Sequence, residues 1–270
     1  MFDRVHLDIK TKLSLFDKMV APIILYGAEV WGLYNIKEVD KLHLRFCKTL
    51  LGVKRSTPYV AVYGELGRFP FSLLAKQRAL KFWIKIIKNL LSPQYQLYNE
   101  QCNMNNTKFL AIRVHSIIDH LGFRDVRIQF NENMSYFNLF KARLSDQFVQ
   151  EWQASINSMS KLNYYVKYKK TFEFEPYLNI ISNYMIRKCL TRFRLDSHRL
   201  EIELGRNSGT DRESHLCKLC NTNGETEYRV LMCCPKYSTI RIKYLHTSWP
   251  SINEFVSFMS SINVSVKKYV

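Results

Sequence analysis

Two segments of the sequence repeat apolar residues at the 3.6-residue period of an α-helix, residues 37–51 and residues 72–91. A strand would alternate with a period of two, so this spacing excludes a sheet for both segments. Glycine (9) and proline (7) are scarce, which disfavours collagen-like chains and turn-rich β-sandwiches. We therefore predict a mainly α-helical chain. The expected apolar stripes are Val39, Leu42, Phe46 and Leu50 in the first helix and Leu80, Ile84, Ile87 and Leu91 in the second.

The same helices carry cations along a second face, and a third predicted helix, residues 178–195, is also basic. Lysine and arginine number 40 against 23 acidic residues, a net charge of +17. Neighbouring like charges cost helix stability, which a bound phosphate chain would relieve. One such stripe is also typical of a solvated helix face, but two in so basic a chain favour contact with RNA or DNA. The predicted contacts are Lys41, Arg45, Lys48, Lys54, Arg55, Arg78, Lys81, Lys85, Lys88, Arg187, Lys188, Arg192 and Arg194.

Other classes of protein are disfavoured by composition and by missing motifs. A hydrophobic content of 47% and an aromatic content of 14% exclude an intrinsically disordered chain. Uncharged stretches reach only about ten residues, half of what a membrane-spanning helix needs, so we expect no membrane partner. No phosphate-binding loop, dinucleotide fingerprint, nucleophile elbow or zinc-protease motif occurs, so we expect no enzyme activity. The sequence does not indicate a protein partner.

Seven cysteines, four of them within residues 217–234, indicate a reducing compartment, and we expect an intracellular protein, nuclear or cytoplasmic. Cys217 and Cys220 form a C-x2-C pair, and Cys234 follows fourteen residues later. Three thiolates at this spacing predict a site for one zinc ion. A metal-free turn with partly buried thiols is the alternative interpretation. The fourth ligand stays open among Cys233, His215 and His246.

Composition changes along the chain predict three regions. Residues 1–95 form a helical block, residues 96–175 a more polar and irregular helical region, and residues 176–270 a helical block with the cysteine turn. Helices are expected near 107–121 and 137–158 within the middle region.

Two stretches together resemble a known family. Residues 15–32 (LFDKMVAPIILYGAEVWG), 46–53 (FCKTLLGV) and 63–70 (YGELGRFP) form the first. The second runs from residues 190–194 (LTRFR) through 197–200 (SHRL) to the cysteines and residues 234–237 (CPKY). In order and separation they are similar to the region that follows the polymerase core in LINE-type (non-LTR) retrotransposon reverse transcriptases. The resemblance implies a thumb-like helical block that braces a template–primer duplex, and a zinc-knuckle tail that contacts element RNA or target DNA.

The sequence departs from that family at two points. The family's knuckle is Cys-Cys-His-Cys, and Arg229 stands where its histidine is expected. The adjacent aspartates that hold the catalytic magnesium ions in the family's polymerase are absent, and so are the palm, fingers and endonuclease regions. The resemblance therefore implies a non-catalytic nucleic-acid-binding fragment. A helical scaffold for protein partners and a decayed mobile-element product without selected function are the alternatives.

Overall fold

The computed structural model of the chain describes residues 7–34, 36–104, 106–128, 130, 135–208, 215–222, 224–245 and 251–265. Over these residues the chain is mainly α-helical, as predicted, and its only extended pairings are two isolated β-bridges. The helices are α1 (Ile9–Met19), α2 (Ala21–Ile24), α3 (Ala28–Trp31), α4 (Lys37–Leu51), α5 (Tyr59–Leu66), α6 (Phe71–Ile87), α7 (Pro93–Met104), α8 (Leu110–His120), α9 (Arg124–Ile128), α10 (Tyr136–Ser158), α11 (Tyr165–Tyr168), α12 (Tyr177–Ile180), α13 (Tyr184–Arg194), α14 (Glu201–Ser208), α15 (Ser238–Leu245) and α16 (Ile252–Ser265).

The chain divides into two compact units, and neither coincides with one of the three sequence regions. Unit 1 contains residues 1–10, 45–68 and 154–270, and unit 2 contains residues 11–44 and 69–153. The boundary falls inside α1, α4 and α10, so these three helices contribute to both units.

The core of unit 2 is apolar and built mainly from α6, α8 and α10. Trp83 is the largest side chain in it and packs against Phe140, with ring centroids 6.2 Å apart. The residues around them recur at helical spacing, which is why the period in the sequence predicts these helices. The buried members are Leu33, Leu73, Ala79, Leu80, Trp83, Val114, Ile118, Leu121, Tyr136, Phe140 and Leu144.

Two residues predicted to lie on apolar stripes are exposed, so their placement was wrong. Leu91 is 90% exposed and lies beyond the end of α6. Leu42 is 51% exposed, and His43 is buried in its place. His43 stacks on Phe71, with centroids 4.1 Å apart and ring planes 9° apart. An imidazole that stacks on an aromatic ring can be buried like any other flat ring. The buried stripe of α4 therefore lies one residue further along the chain than predicted.

The interior of unit 1 contains charges. Glu65 of α5 and Arg194 of α13 are both buried, and Arg194 Nε donates to Glu65 Oε1 at 2.6 Å. Glu175 Oε2 accepts from the same guanidinium at 3.0 Å. Tyr177 donates its hydroxyl proton to Glu65 Oε1 at 2.7 Å, and burial followed by the Glu65 charge raises the pKa of Tyr177. The buried charges of Glu65 and Arg194 are thus paired with each other, as an interior of low polarity requires.

α5 brings Glu65 into this network because its ends are sharply defined. The helix begins after Pro58 and ends at Gly67, whose φ of +56° is left-handed. A Cβ at Gly67 would lie 2.4 Å from the backbone nitrogen of Phe174, so only glycine fits. Glu175, which follows Phe174, donates its backbone N–H to the Glu65 carbonyl at 3.0 Å.

Candidate nucleic-acid interface and metal centre

On α6, three of the predicted contact residues share one exposed face. Lys81, Lys85 and Lys88 are all exposed, at positions i, i+4 and i+7. Lys81 Nζ lies 5.5 Å from the ring centroid of Phe137. Arg78 differs, because it is partly buried and donates to the Leu25 carbonyl at 2.9 Å. Lys81 and Lys85 of α6, together with Lys88 at its C-cap, therefore form a row of three exposed lysines.

On α4, the predicted stripe is less uniform than the sequence indicated. Lys41 forms an ion pair with Glu38 at 2.6 Å, and both side chains are largely exposed. A pair so exposed contributes only about 0–1 kcal/mol. Arg45 is exposed, whereas Lys48 is partly buried and donates to the Arg55 carbonyl at 2.5 Å.

Two arginines predicted to contact phosphate serve inside unit 1 instead. Arg194 is held by Glu65 and Glu175, as described above. Arg187 is also buried, and its guanidinium donates to the Ile181 carbonyl at 2.6 Å. Their guanidinium groups donate to acceptors within the protein and are not exposed to a phosphate chain.

The remaining cations of α13 contact the C-terminal end of α4. Arg192 Nε donates to the Gly52 carbonyl at 2.6 Å, although the two residues are 140 positions apart. Lys188 lies across Gly52 so closely that a Cβ there would come within 2.9 Å of its Cγ. Gly52, with φ of +67°, ends α4 in the left-handed conformation. Two of these cations, Lys188 and Arg192, contact Gly52 itself, and the others lie in the last turn of α4 or just after it. We name the five residues Lys48, Lys54, Arg55, Lys188 and Arg192 the Gly52 cluster.

The Gly52 cluster retains hydrogen-bond donors for a ligand. Lys54 Nζ donates to the His198 carbonyl at 2.6 Å, which uses one of its three N–H groups. Arg192 uses one of five for Gly52. Burial, and then the nearby charge of Lys161, lower the pKa of Lys48. Cations near a helix C-terminus interact favourably with the free carbonyl groups there. A bound anion would relieve the repulsion between cations that lie close together.

The three predicted zinc-ligating thiols lie together. The Sγ atoms of Cys217, Cys220 and Cys234 are all within 4.8 Å of one another. Thiolates that share a tetrahedral zinc ion with bonds of about 2.3 Å lie about 3.8 Å apart, so this spacing fits the metal. Cys217 and Cys234 are buried, and Cys220 is partly exposed. The cluster could therefore hold a metal ion.

Short local contacts hold this turn. Asn221, with φ of +52°, donates its N–H to the Cys217 carbonyl at 2.8 Å and closes the C-x2-C loop. An antiparallel bridge between Leu216 and Gly224 closes the base of the turn. Arg241 of α15 donates to the Cys234 carbonyl at 2.8 Å and fixes the third thiol.

No described side chain joins the three thiols as a fourth ligand in one cluster. Cys233 is exposed and its thiol contacts the Tyr228 hydroxyl. The His215 ring packs on Gly205, where a Cβ would meet Nε2 at 1.9 Å. His246 lies outside the described residues.

Two charged residues, Arg229 and Glu225, lie beside the thiols. Arg229 Nη2 lies 3.8 Å from Cys220 Sγ and donates to Thr222 Oγ1 at 2.8 Å. Hydrogen bonds from the Thr222 side chain and backbone, with a smaller one from Arg229, lower the pKa of Cys220 to about 6. Glu225 Oε1 accepts from Cys217 Sγ at 3.6 Å, a neighbour that sequence spacing did not reveal. Cys220 is therefore a thiolate, the metal-binding form, at neutral pH.

A second set of potential ligands, Asp196, His198 and Glu227, is also buried and within 4.8 Å. His198 Nε2 contacts Glu227 Oε1 at 2.5 Å, and His198 Nδ1 accepts the backbone N–H of Leu200 at 3.2 Å. A ring that accepts at Nδ1 carries its proton on Nε2, which then faces the carboxylate rather than a metal. This set therefore joins the start of α14 to the cysteine turn by hydrogen bonds.

This contact predicts a response to acid. Burial opposes ionisation of Glu227, but the hydrogen bond from His198 outweighs it, and the pKa of Glu227 is lowered. A carboxylate whose pKa is lowered by folding stabilises the folded state at pH values above its pKa in the unfolded chain, which is about 4.3. This stabilisation is lost as the pH falls below that value. Glu227→Gln should lower stability at pH 6 by roughly 1–3 kcal/mol and flatten its dependence between pH 5 and 3. Urea midpoints measured across that range test this, and parallel curves for both proteins would contradict it.

Comparisons of the chain with protein-family models, with curated proteins and with solved structures give no match. Within the described residues, no helix combines the length and apolar character needed to cross a membrane.

Proposed function

We propose that this protein binds RNA or DNA through its phosphates, without catalysis of its own, as a C-terminal portion of a LINE-type reverse transcriptase would. The observation that carries the proposal is the Gly52 cluster, in which two cations of α13 contact the end of α4, where three further cations lie close in the sequence. Lysines and arginines gathered in this way neutralise a phosphate backbone and release its counterions. The net charge of +17 adds long-range attraction for any polyanion.

The exposed lysines of α6 support the same function independently. Lys81, Lys85 and Lys88 form a row along one helix face, a surface suited to a sugar–phosphate backbone. Contacts of this kind read charge rather than bases, so the binding should tolerate changes of sequence.

Charge reversal tests the proposal on each surface separately. Each phosphate contact contributes roughly fivefold to affinity at physiological salt, so Arg55→Glu with Lys188→Glu should weaken binding about 30-fold or more. Lys81→Glu, Lys85→Glu and Lys88→Glu together should weaken it at least as much. Fluorescence anisotropy with a labelled oligonucleotide measures both effects.

The matched control keeps the change in net charge. Lys108 and Arg124 are exposed cations outside both surfaces, and reversing them removes as much positive charge as the Arg55 and Lys188 pair. The control should bind within about threefold of the unmodified protein. If it loses as much affinity as the paired variant, only net charge matters and the interface is refuted.

We propose further that the thiol cluster binds one zinc ion through Cys217, Cys220 and Cys234. The support is the fit of the three sulfur atoms to a common ion and the thiolate character of Cys220. Glu225 connects the cysteine turn to the start of α14, because its Oε2 accepts the Glu201 N–H at 2.9 Å. When bound, the metal would stabilise this turn. Its part in the function is structural.

A scaffold for protein partners is a second candidate, favoured by one observation. Met19, Ile23, Tyr26 and Val30 of unit 2 are large, apolar and more than half exposed. Exposed apolar residues this close in sequence mark a surface for another protein. Under this function the chain would bind a protein partner but neither heparin nor single-stranded RNA.

A further inference from the structure

An exposed aromatic ring adjoins the Gly52 cluster. Tyr184 is the first residue of α13 and is 44% exposed. Lys188 Nζ lies 5.3 Å from its ring centroid and Arg187 Cζ lies 6.0 Å from it. Lys188 thus contacts both the ring and Gly52, so the tyrosine and the cations form one continuous surface in unit 1.

The position of Tyr184 is fixed by the helix it begins. The Asn183 side chain accepts from the backbone N–H groups of Met185 at 2.9 Å and Ile186 at 3.2 Å. This cap anchors the first turn, so the ring is presented from a rigid element rather than from a loop. Met185 and Ile186, the next two residues of α13, are also exposed.

We infer that this surface selects single-stranded over double-stranded nucleic acid, with Tyr184 as a stacking platform for an unpaired base. This inference rests on the proposed function and specifies its ligand. Bases in a duplex are already stacked on both faces, whereas an unpaired base gains a partner from an exposed ring. Lys188 and Arg192 lie where the flanking phosphates of such a base would pass. Charge alone would favour the duplex, whose phosphates are more densely spaced, so a preference for the single strand has to come from the ring.

The experiment compares a single-stranded oligonucleotide that carries 2-aminopurine with a duplex of the same length and sequence. The unmodified protein should bind the single strand more tightly and quench its fluorescence, as a stacked base does. Tyr184→Ala should weaken single-strand binding about tenfold or more, remove the quenching and leave duplex binding unchanged. The dependence of affinity on salt should stay the same, because no phosphate contact is lost.

Tyr184→Phe is the matched control, since it keeps the ring and loses only the hydroxyl, and it should bind within about twofold of the unmodified protein. An exposed position tolerates both substitutions, and equal melting temperatures confirm it. Equal weakening of single-strand and duplex binding by Tyr184→Ala would overturn the inference while leaving phosphate binding intact. Unchanged single-strand affinity of the Tyr184→Ala variant would also overturn the inference. If the unmodified protein binds neither the single strand nor the duplex, the proposed function itself is refuted.

Discussion

Arg194→Met should destabilise unit 1 by about 3–5 kcal/mol, because it leaves buried carboxylates without their cation. Glu65 is fully buried and Glu175 largely so, and both accept from this guanidinium. Arg194 also donates to the Met259 carbonyl at 3.0 Å, so α16 loses a contact as well. Urea unfolding followed by circular dichroism measures the effect.

Two further variants separate the buried charge from lost packing. Glu65→Gln combined with Arg194→Met removes both charges of the closest pair and should recover part of the lost stability. Lys85→Met, at an exposed position of α6, should change stability by less than about 0.5 kcal/mol. If Arg194→Met costs no more than this surface change, the buried network does not hold the unit together.

Arg229→His should tighten zinc binding by at least tenfold, about 1.4 kcal/mol. The guanidinium lies 3.8 Å from Cys220 Sγ and cannot ligate a metal, whereas an imidazole nitrogen would complete a tetrahedral set. Cys217→Ser should abolish stoichiometric binding. Competition with a chromophoric chelator gives the affinity, and metal analysis gives the stoichiometry.

Arg229→Gln is the control for this prediction, because it removes the guanidinium without supplying a good ligand. A histidine variant that binds zinc no better than the glutamine variant would show that position 229 does not face the metal. Weaker binding after His246→Ala, together with no gain from Arg229→His, would instead identify His246 as the fourth ligand.

Local patterns predicted the two most periodic helices, for a physical reason, whereas the predicted helix 178–195 is found as two helices, α12 and α13. α4 matches residues 37–51, and the predicted 72–91 helix is found as α6, because burial at a 3.6-residue period is encoded in neighbouring residues. The exposed lysines of α6 followed from the same period. The pattern placed Leu42 wrongly because His43, which counts as polar, takes the buried position.

Partners far along the chain could not be predicted in the same way. Arg194 is as basic in the sequence as Lys188, and only the fold reveals that Glu65, 129 positions away, takes up its charge. The Gly52 cluster likewise depends on a contact between Arg192 and Gly52 that no periodicity encodes. The spacing of the cysteines predicted the three thiols that meet, whereas the contacts of Arg229 and Glu225 with them required the folded turn.

The most direct test of phosphate binding is the affinity of the unmodified protein for a labelled single-stranded oligonucleotide over a series of salt concentrations. The logarithm of the association constant should fall linearly with the logarithm of the salt concentration, with a slope that counts the phosphates contacted. The slope should become shallower by about 0.7 for each contact removed from the Gly52 cluster. An association constant that does not change with salt, or no binding even at low salt, would contradict the account.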